Sequence, residues 1–492
     1  MLTSSETPII AAVVLIAFGI LGWGFYRAKP FGKLGILAWL QSVVLMTPWL
    51  LFFGLFAAGI YLNIAAVLLL LVISVGLYIF VGKQLRDAGQ DAILKERATE
   101  RLAIAANNPE NTPVVTEIKL EPTPIPPEDL TLIKGMFGID TFFVTETIPY
   151  QEGVVFRGNL RGEPEKVHHR LTQCLQDRLS DKYRLFLVDN TDGKPVFIVL
   201  PSRTDPIKAQ LPQKLFAIIL LIATIATSLE TGGLLRNFDL LQHPERWVET
   251  LPVVLGLSAI LISHEIGHWL LARRHNVRLS WPFFLPAVQI GSFGAITRFE
   301  SLLPNRRALF DISLAGPAFG GITALALLIT GLLLSNSDSL FSLPNQFFQG
   351  SILVGSLARI ILGSALQSPV VNIHPLVIIG WLGLVITALN LMPAGQLDGG
   401  RIVQAIYGRK TAGRTTFATL ILLAIVSLGN PLAMYWAIVI VLLQRDLERP
   451  SLNEITEPDD ARAALGLLAL FLMVATLLPL SPALAGRLGI GS

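Results

Sequence analysis

PVVLGLSAILISHEIGHWLLA, residues 252–272, is an apolar run carrying three ionisable side chains within five positions. A helix that crosses a bilayer needs about 20 apolar residues, so this run qualifies. Ionisable groups inside such a helix are costly unless paired, and mark function by default. His264 and His268 stand at i and i+4, on one helix face and about 6 Å apart along the axis. Two imidazoles so placed can converge on one zinc ion, and Glu265 beside them can take a proton from water at the metal. The chain has seven histidines, so this spacing arises by chance on the order of once in several hundred such sequences.

Two histidines and a base leave a catalytic zinc site one protein ligand short. The best candidate is Asp398, in NLMPAGQLDG, residues 390–399, where another apolar stretch ends. Pro393 and Gly395 break a helix there and let the chain bend, and backbone groups freed at such a break need a polar cavity or protein partners.

Composition agrees with a membrane protein. Of 492 residues, 52% are hydrophobic and 15% charged, against about 25% charged in soluble proteins. A net charge of +3 is too small to suggest nucleic acid, and a single cysteine, Cys174, excludes an internal disulfide and a cysteine-based zinc site. The N-terminal apolar run reads as a retained span rather than a signal peptide, and no Arg- and Ser-rich transit segment stands before it.

Apolar stretches fall at 8–26, 37–61, 63–82, 214–234, 252–272, 310–334, 375–392, 415–428, 431–444 and 464–480. The fold class expected is mainly α: a polytopic transmembrane bundle of about ten spans, within a range of about 8–12, with a small soluble α/β domain. Residues 350–366 read as an interfacial helix. With the N-terminus outside, most loop Lys and Arg residues fall on one side, the cytoplasmic one. Among them are Arg273 and Arg274, Arg306 and Arg307, and Arg401 and Arg409. Both motifs then lie toward that side, with the histidines about 8–14 Å below its surface.

The expected order along the chain is N-terminal transmembrane helices at 1–82, a charged helix and Pro-rich linker at 83–129, a cytoplasmic-side α/β domain at 130–212, a catalytic membrane domain at 213–447, and a C-terminal linker and helix at 448–492. In the α/β domain, residues 164–179 have helical apolar spacing, and NTDG at 190–193 signals a hairpin turn. The adjacent His168 and His169 read as a surface pair. Residues 281–297, rich in Pro and Gly, make a poor membrane helix and suggest a re-entrant loop or hairpin, which either offers an edge strand to an unwound substrate or is an interfacial loop that only covers the zinc.

HExxH in one span with NxxPxxxLDG in a later one resembles the site-2 protease family of intramembrane zinc metalloproteases, over roughly residues 251–408. The resemblance implies Zn2+ held by His264, His268 and Asp398, Glu265 as general base, and Asn390 as a substrate-positioning or oxyanion residue. SLAGP at 313–317 is similar to the family's small-residue packing element. FRGNLRG at 156–162 and PAVQIGSFGAIT at 286–297 resemble, more narrowly, the chloroplast ethylene-dependent gravitropism-deficient and yellow-green proteases and their cyanobacterial relatives. Some plant members lack the zinc motif; this chain keeps it.

The same resemblance implies a multi-pass enzyme of a cyanobacterial plasma or thylakoid membrane, or of a chloroplast membrane. It would cut a peptide bond in or near the transmembrane helix of a membrane-protein substrate, such as a single-span regulator or anti-sigma factor. The alternatives are a transporter with structural zinc and a non-proteolytic, chaperone-like member. The sequence does not give the oligomeric state.

Overall fold

The computed structural model describes residues 19, 21–57, 125–150, 152–190 and 193–490, with scattered positions between 70 and 85. The stretches expected to span at 8–26 and 63–82 lie largely outside the described residues. Two compact units are distinguished, Met1–Lys119 with Leu420–Val439, and Leu120–Thr419 with Ile440–Ser492. The first contains helix α1 (Gly32–Ala57). The second contains the candidate site.

A short helix, α2 (Pro127–Lys134), opens the second unit. Strands β1 (Phe142–Tyr150), β2 (Gly153–Leu160), β3 (Tyr183–Asp189) and β4 (Pro195–Pro201) form an antiparallel sheet of order β1-β2-β4-β3. Helix α3 (Pro164–Leu179) buries Val167, Leu171, Leu175 and Leu179, one residue per turn. They join a core centred on Phe142, Phe156 and Phe197, each fully buried. Each such ring contributes roughly 1.5–3 kcal/mol. Cys174 packs at the edge of this core, half-buried. His168 corrects the surface-pair reading. Its side chain is buried, and Nε2 lies 3.0 Å from the Leu185 carbonyl, while His169 is exposed. Adjacent helical residues face different ways, so one of the two was free to turn inward.

Among the described residues, four helices are long and apolar enough to cross a membrane: Leu211–Leu235, Pro244–Arg274, Arg306–Leu334 and Asp460–Leu477. The described residues do not confirm the expected ten. Pro375–Asn390 is apolar but has 16 residues, about 24 Å at 1.5 Å each. The helical run Asp398–Val426 is broken at Gly408, which has φ 79°. The chain is mainly helical with a small sheet region, as the sequence suggests.

The helices of the second unit are α4 (Leu211–Leu235), α5 (Trp247–Arg274), α6 (Arg306–Leu334), α7 (Ile352–Leu362), α8 (Pro375–Asn390) and the first part of α9 (Asp398–Val426). Helix α10 (Pro431–Val439) belongs to the first unit, and α11 (Asp460–Leu477) and α12 (Pro482–Arg487) return to the second. Between α5 and α6 lies a hairpin, β5 (Phe283–Ala287) and β6 (Gly291–Ile296). A second small hairpin pairs β7 (Phe341–Pro344) with β8 (Val370–Ile373).

Helix α6 packs against both α5 and α8. Small residues make the close approach: Gly267 meets the Ala315 carbonyl, and Gly380 the backbone of Leu328. Asn305 caps α6 by accepting from the Ala308 amide at 2.9 Å. Asp311 then staples three helix ends. It lies 3.0 Å from His275 Nε2, just past α5, and accepts from Arg462 of α11 at 2.7 and 2.9 Å.

The sheet domain is zipped to the membrane helices through backbone bonds. The Leu187 amide donates to Leu452 and the Glu454 amide to Leu187, at 2.8 and 2.9 Å. On its other side the same segment donates from Leu452 to Leu303 and from Asn453 to Pro304, at 2.8 and 3.1 Å. Residues 452–454 thus act as a short shared strand between the edge of β3 and the start of α6.

Candidate active site

His264 and His268 are buried on one face of α5, and Asp398, also buried, begins α9. His264 Nε2 lies 3.1 Å from His268 Nε2, and Asp398 Oδ2 lies 3.2 and 3.4 Å from the two. Bonds of about 2.0–2.1 Å to a tetrahedral ion place donor atoms about 3.3 Å apart. The triangle formed by these three atoms therefore has the size a zinc ion needs.

The ring of His268 is oriented from behind. Nδ1 lies 2.8 Å from the Ile312 carbonyl. A carbonyl only accepts, so Nδ1 carries the proton and Nε2 keeps its lone pair for a metal. Helix α6 leaves room for both rings. A Cβ at Gly316 would collide with the His268 imidazole, and one at Gly320 would press on His264.

The bend before Asp398 is tight. Gly395 has φ +48°, and its amide donates to Thr416 Oγ1 at 2.8 Å. The Gln396 amide donates to the Gln444 carbonyl at 2.9 Å. These bonds satisfy backbone groups that the break after α8 sets free.

Glu265 is half-buried, and ligating atoms of His264, Glu265 and His268 lie within 4.8 Å of one another. Its Oε2 accepts from the Thr297 hydroxyl at 2.8 Å. Asn390, the last residue of α8, is buried and donates both amide hydrogens, to Phe293 and Ile386 carbonyls at 3.1 and 2.9 Å. It therefore ties β6 to α8. On the opposite flank of the hairpin, the hydroxyls of Thr227 and Thr231 in α4 donate to Gly291 and Val288 carbonyls, each at 2.7 Å.

Of the five residues singled out in the sequence, His264, Glu265, His268 and Asp398 come together, whereas Asn390 is bonded to the hairpin and to its own helix. Thr297 and Arg401 were not foreseen as part of the site. Arg401 is 5% exposed, pairs with buried Glu448 at 2.9 Å and donates to the Thr297 carbonyl at 3.0 Å. Its only signal in sequence was three-residue spacing from Asp398 on one helix. A cleft of about 310 Å³, lined in part by Arg298, Gln396, Arg401 and Glu448, opens beside this network.

A carboxylate and two imidazoles gathered at an apolar helix, beside a second carboxylate, define a metallohydrolase centre of the zinc type. Residues 252–429 match the model of peptidase family M50, and residues 131–206 that of the EGY3 middle domain. The chain is 39% identical over 410 residues to the probable zinc metalloprotease EGY1, chloroplastic, of Arabidopsis thaliana, covering 76% of this chain and 75% of that one. It is 39% identical to EGY2 of the same plant over 74% and 67% of the two chains. To the probable zinc metallopeptidase EGY3 it is 32% identical over 71% and 65%. No solved structure matches significantly. The chain belongs to peptidase family M50, the site-2 type of zinc metalloprotease, among the EGY proteins. It is accordingly a membrane zinc metalloendopeptidase, and the transporter alternative is set aside.

Proposed function

We propose that the chain is an intramembrane endopeptidase that hydrolyses a peptide bond in or near the transmembrane helix of a membrane protein, in regulated proteolysis. The observation that carries this reading is the triangle of His264, His268 and Asp398, its two histidines on a helix apolar enough for the bilayer, with Glu265 beside it. His264, His268 and Asp398 would hold the zinc. Zinc, when bound, supplies Lewis acidity toward a carbonyl and lowers the pKa of water.

The chain's own residues do the rest. Glu265 accepts a proton from the attacking water and returns it to the leaving amine. The Ile312 carbonyl keeps His268 in the tautomer that presents Nε2. Asn390 holds the β5–β6 hairpin against α8, and so acts on substrate through that hairpin. The hairpin offers extended backbone to a substrate segment, whose helix must unwind before its peptide bonds are accessible.

The domain order 1–82, 83–129, 130–212, 213–447 and 448–492 goes with this reading. So does an active site facing the cytoplasm or stroma, in a cyanobacterial plasma or thylakoid membrane or in a chloroplast. A single-span regulator of the anti-sigma type is the kind of substrate it would take.

The test is to co-reconstitute the full chain with a single-span protein and map the products by mass spectrometry. Zinc-dependent termini within the apolar span or its flanks are expected. Cuts confined to extramembrane domains far from the span would overturn the intramembrane assignment.

A further inference from the structure

We propose that Thr297 is a positioning residue for Glu265, held in place by Arg401 and Glu448. This rests on the reading of Glu265 as the general base.

Glu265 occupies a helix position next to a candidate ligand, but a glutamate side chain has three rotatable bonds, and its helix fixes only the root. A base works within hydrogen-bond reach of the proton it takes, so its carboxylate needs a second anchor. The Thr297 hydroxyl supplies one, donating to Oε2 at 2.8 Å. Oε1 is thereby left as the oxygen for proton transfer.

Thr297 is itself fixed. It is 8% exposed and follows β6 directly. Being β-branched, it is stiff at χ1, so its backbone position dictates where the hydroxyl points. That backbone is held by Arg401 Nη2, which donates to the Thr297 carbonyl at 3.0 Å. Arg401 is held in turn by Glu448, whose Oε2 accepts from Nε at 3.0 Å and lies 2.9 Å from Nη2 in a buried ion pair. Its guanidinium also lies 4.7 Å from the centre of the Phe299 ring.

Arg401 stands three residues after Asp398, one turn along the same helix. One rigid turn therefore carries both Asp398 and the cation that fixes the anchor of Glu265. A buried ion pair contributes little net stability, but fixes geometry when all its hydrogen bonds are satisfied. Burying Arg401 and Glu448 at 5% and 8% exposure suits a device that sets position.

The test uses the full chain purified in detergent and loaded with zinc. β-Casein is the probe, because an extended chain needs no unwinding and reports the chemical step. Thr297→Val is expected to lower kcat about 10–100-fold, with KM within about twofold and zinc content unchanged. Thr297→Ser, which keeps the hydroxyl, is expected to restore most of the rate. In zinc-free protein, the infrared carboxylate band of Glu265, assigned by difference against Glu265→Gln, should shift in Thr297→Val and hold in Thr297→Ser.

An unchanged kcat in Thr297→Val with zinc retained would overturn the proposal. So would equal losses in the Val and Ser variants, or a loss that follows zinc content alone. Should Glu265→Gln itself cleave casein at the native rate, the reading of Glu265 fails, whatever Thr297 does.

Discussion

The ring nitrogen Nδ1 of His268 faces the carbonyl of Ile312 at 2.8 Å, from a residue 44 positions further along the chain. The bond joins α5 to α6 at the depth of the site and fixes which nitrogen is offered to the metal. It exists because α6 approaches closely there, over Gly316 and Gly320.

Gly316→Ala should therefore push the His268 ring off its carbonyl. Zinc affinity is expected to fall about 10–100-fold, measured by chelator competition on the purified chain. Gly321→Ala is the control. Its Cβ would meet Thr387 Cγ2 at 3.5 Å, an ordinary contact, and affinity should be unchanged.

Arg306 lies 5% exposed at the start of α6. Its Nε and Nη2 donate to the Ala405 and Ile406 carbonyls at 2.7 and 2.8 Å, just before α9 breaks at Gly408. Arg306→Leu leaves those carbonyls without their donors, at a cost of about 1.5–3 kcal/mol. A lower melting temperature in detergent is expected, with zinc retained below the transition.

Leu452 donates its amide to the Leu303 carbonyl at 2.8 Å in the shared strand. Leu452→Pro removes that donor. Faster protease cleavage between residues 445 and 460 is expected, while the sheet core of Phe142, Phe156 and Phe197 keeps its hydrogen-exchange protection.

His168 gives the sheet domain a pH dependence. Burial pushes its pKa below the usual 6.5, outweighing the Leu185 carbonyl, which favours the charged form. The unfolded chain then takes up a proton before the folded one does. Stability is full above about pH 6.5 and falls as pH drops from there through the folded value. Exchange protection of Tyr183–Asp189 should be weaker at pH 5.5 than at pH 7.5, and His168→Phe should flatten the difference.

The cluster of His264, Glu265, His268 and Asp398 was legible in sequence because its signals are local. His264, Glu265 and His268 sit on one helix turn, and Asp398 lies at a break marked by Pro393 and Gly395. The sheet was only partly legible. Tyr183–Asp189 and Pro195–Pro201 announce themselves through their apolar residues and turn, whereas Phe142–Tyr150, with Thr145, Glu146 and Thr147 inside it, does not. Thr297 reaches Glu265 across 32 positions and Arg401 reaches Thr297 across 104, beyond any periodicity. Arg306 and Arg401 even point the wrong way in sequence. They read as loop charges that orient spans, yet both are buried and bonded to carbonyls or a carboxylate.

The hairpin glycines carry a similar lesson. Bulky residues at Gly291 or Gly294 do not test strand presentation. Both have positive φ, +83° and +98°, and a Cβ at Gly294 would collide with the Asn390 amide. Substitution there breaks the hairpin itself, so a loss of proteolysis would report the fold.

The most direct test of the central claim is Glu265→Gln in the full chain, with bound zinc and cleavage of a co-reconstituted single-span substrate measured on the same preparation. Zinc held at the native stoichiometry with cleavage lost is the result expected for a base beside an intact metal site. Cleavage that persists at the native rate with zinc bound would contradict it.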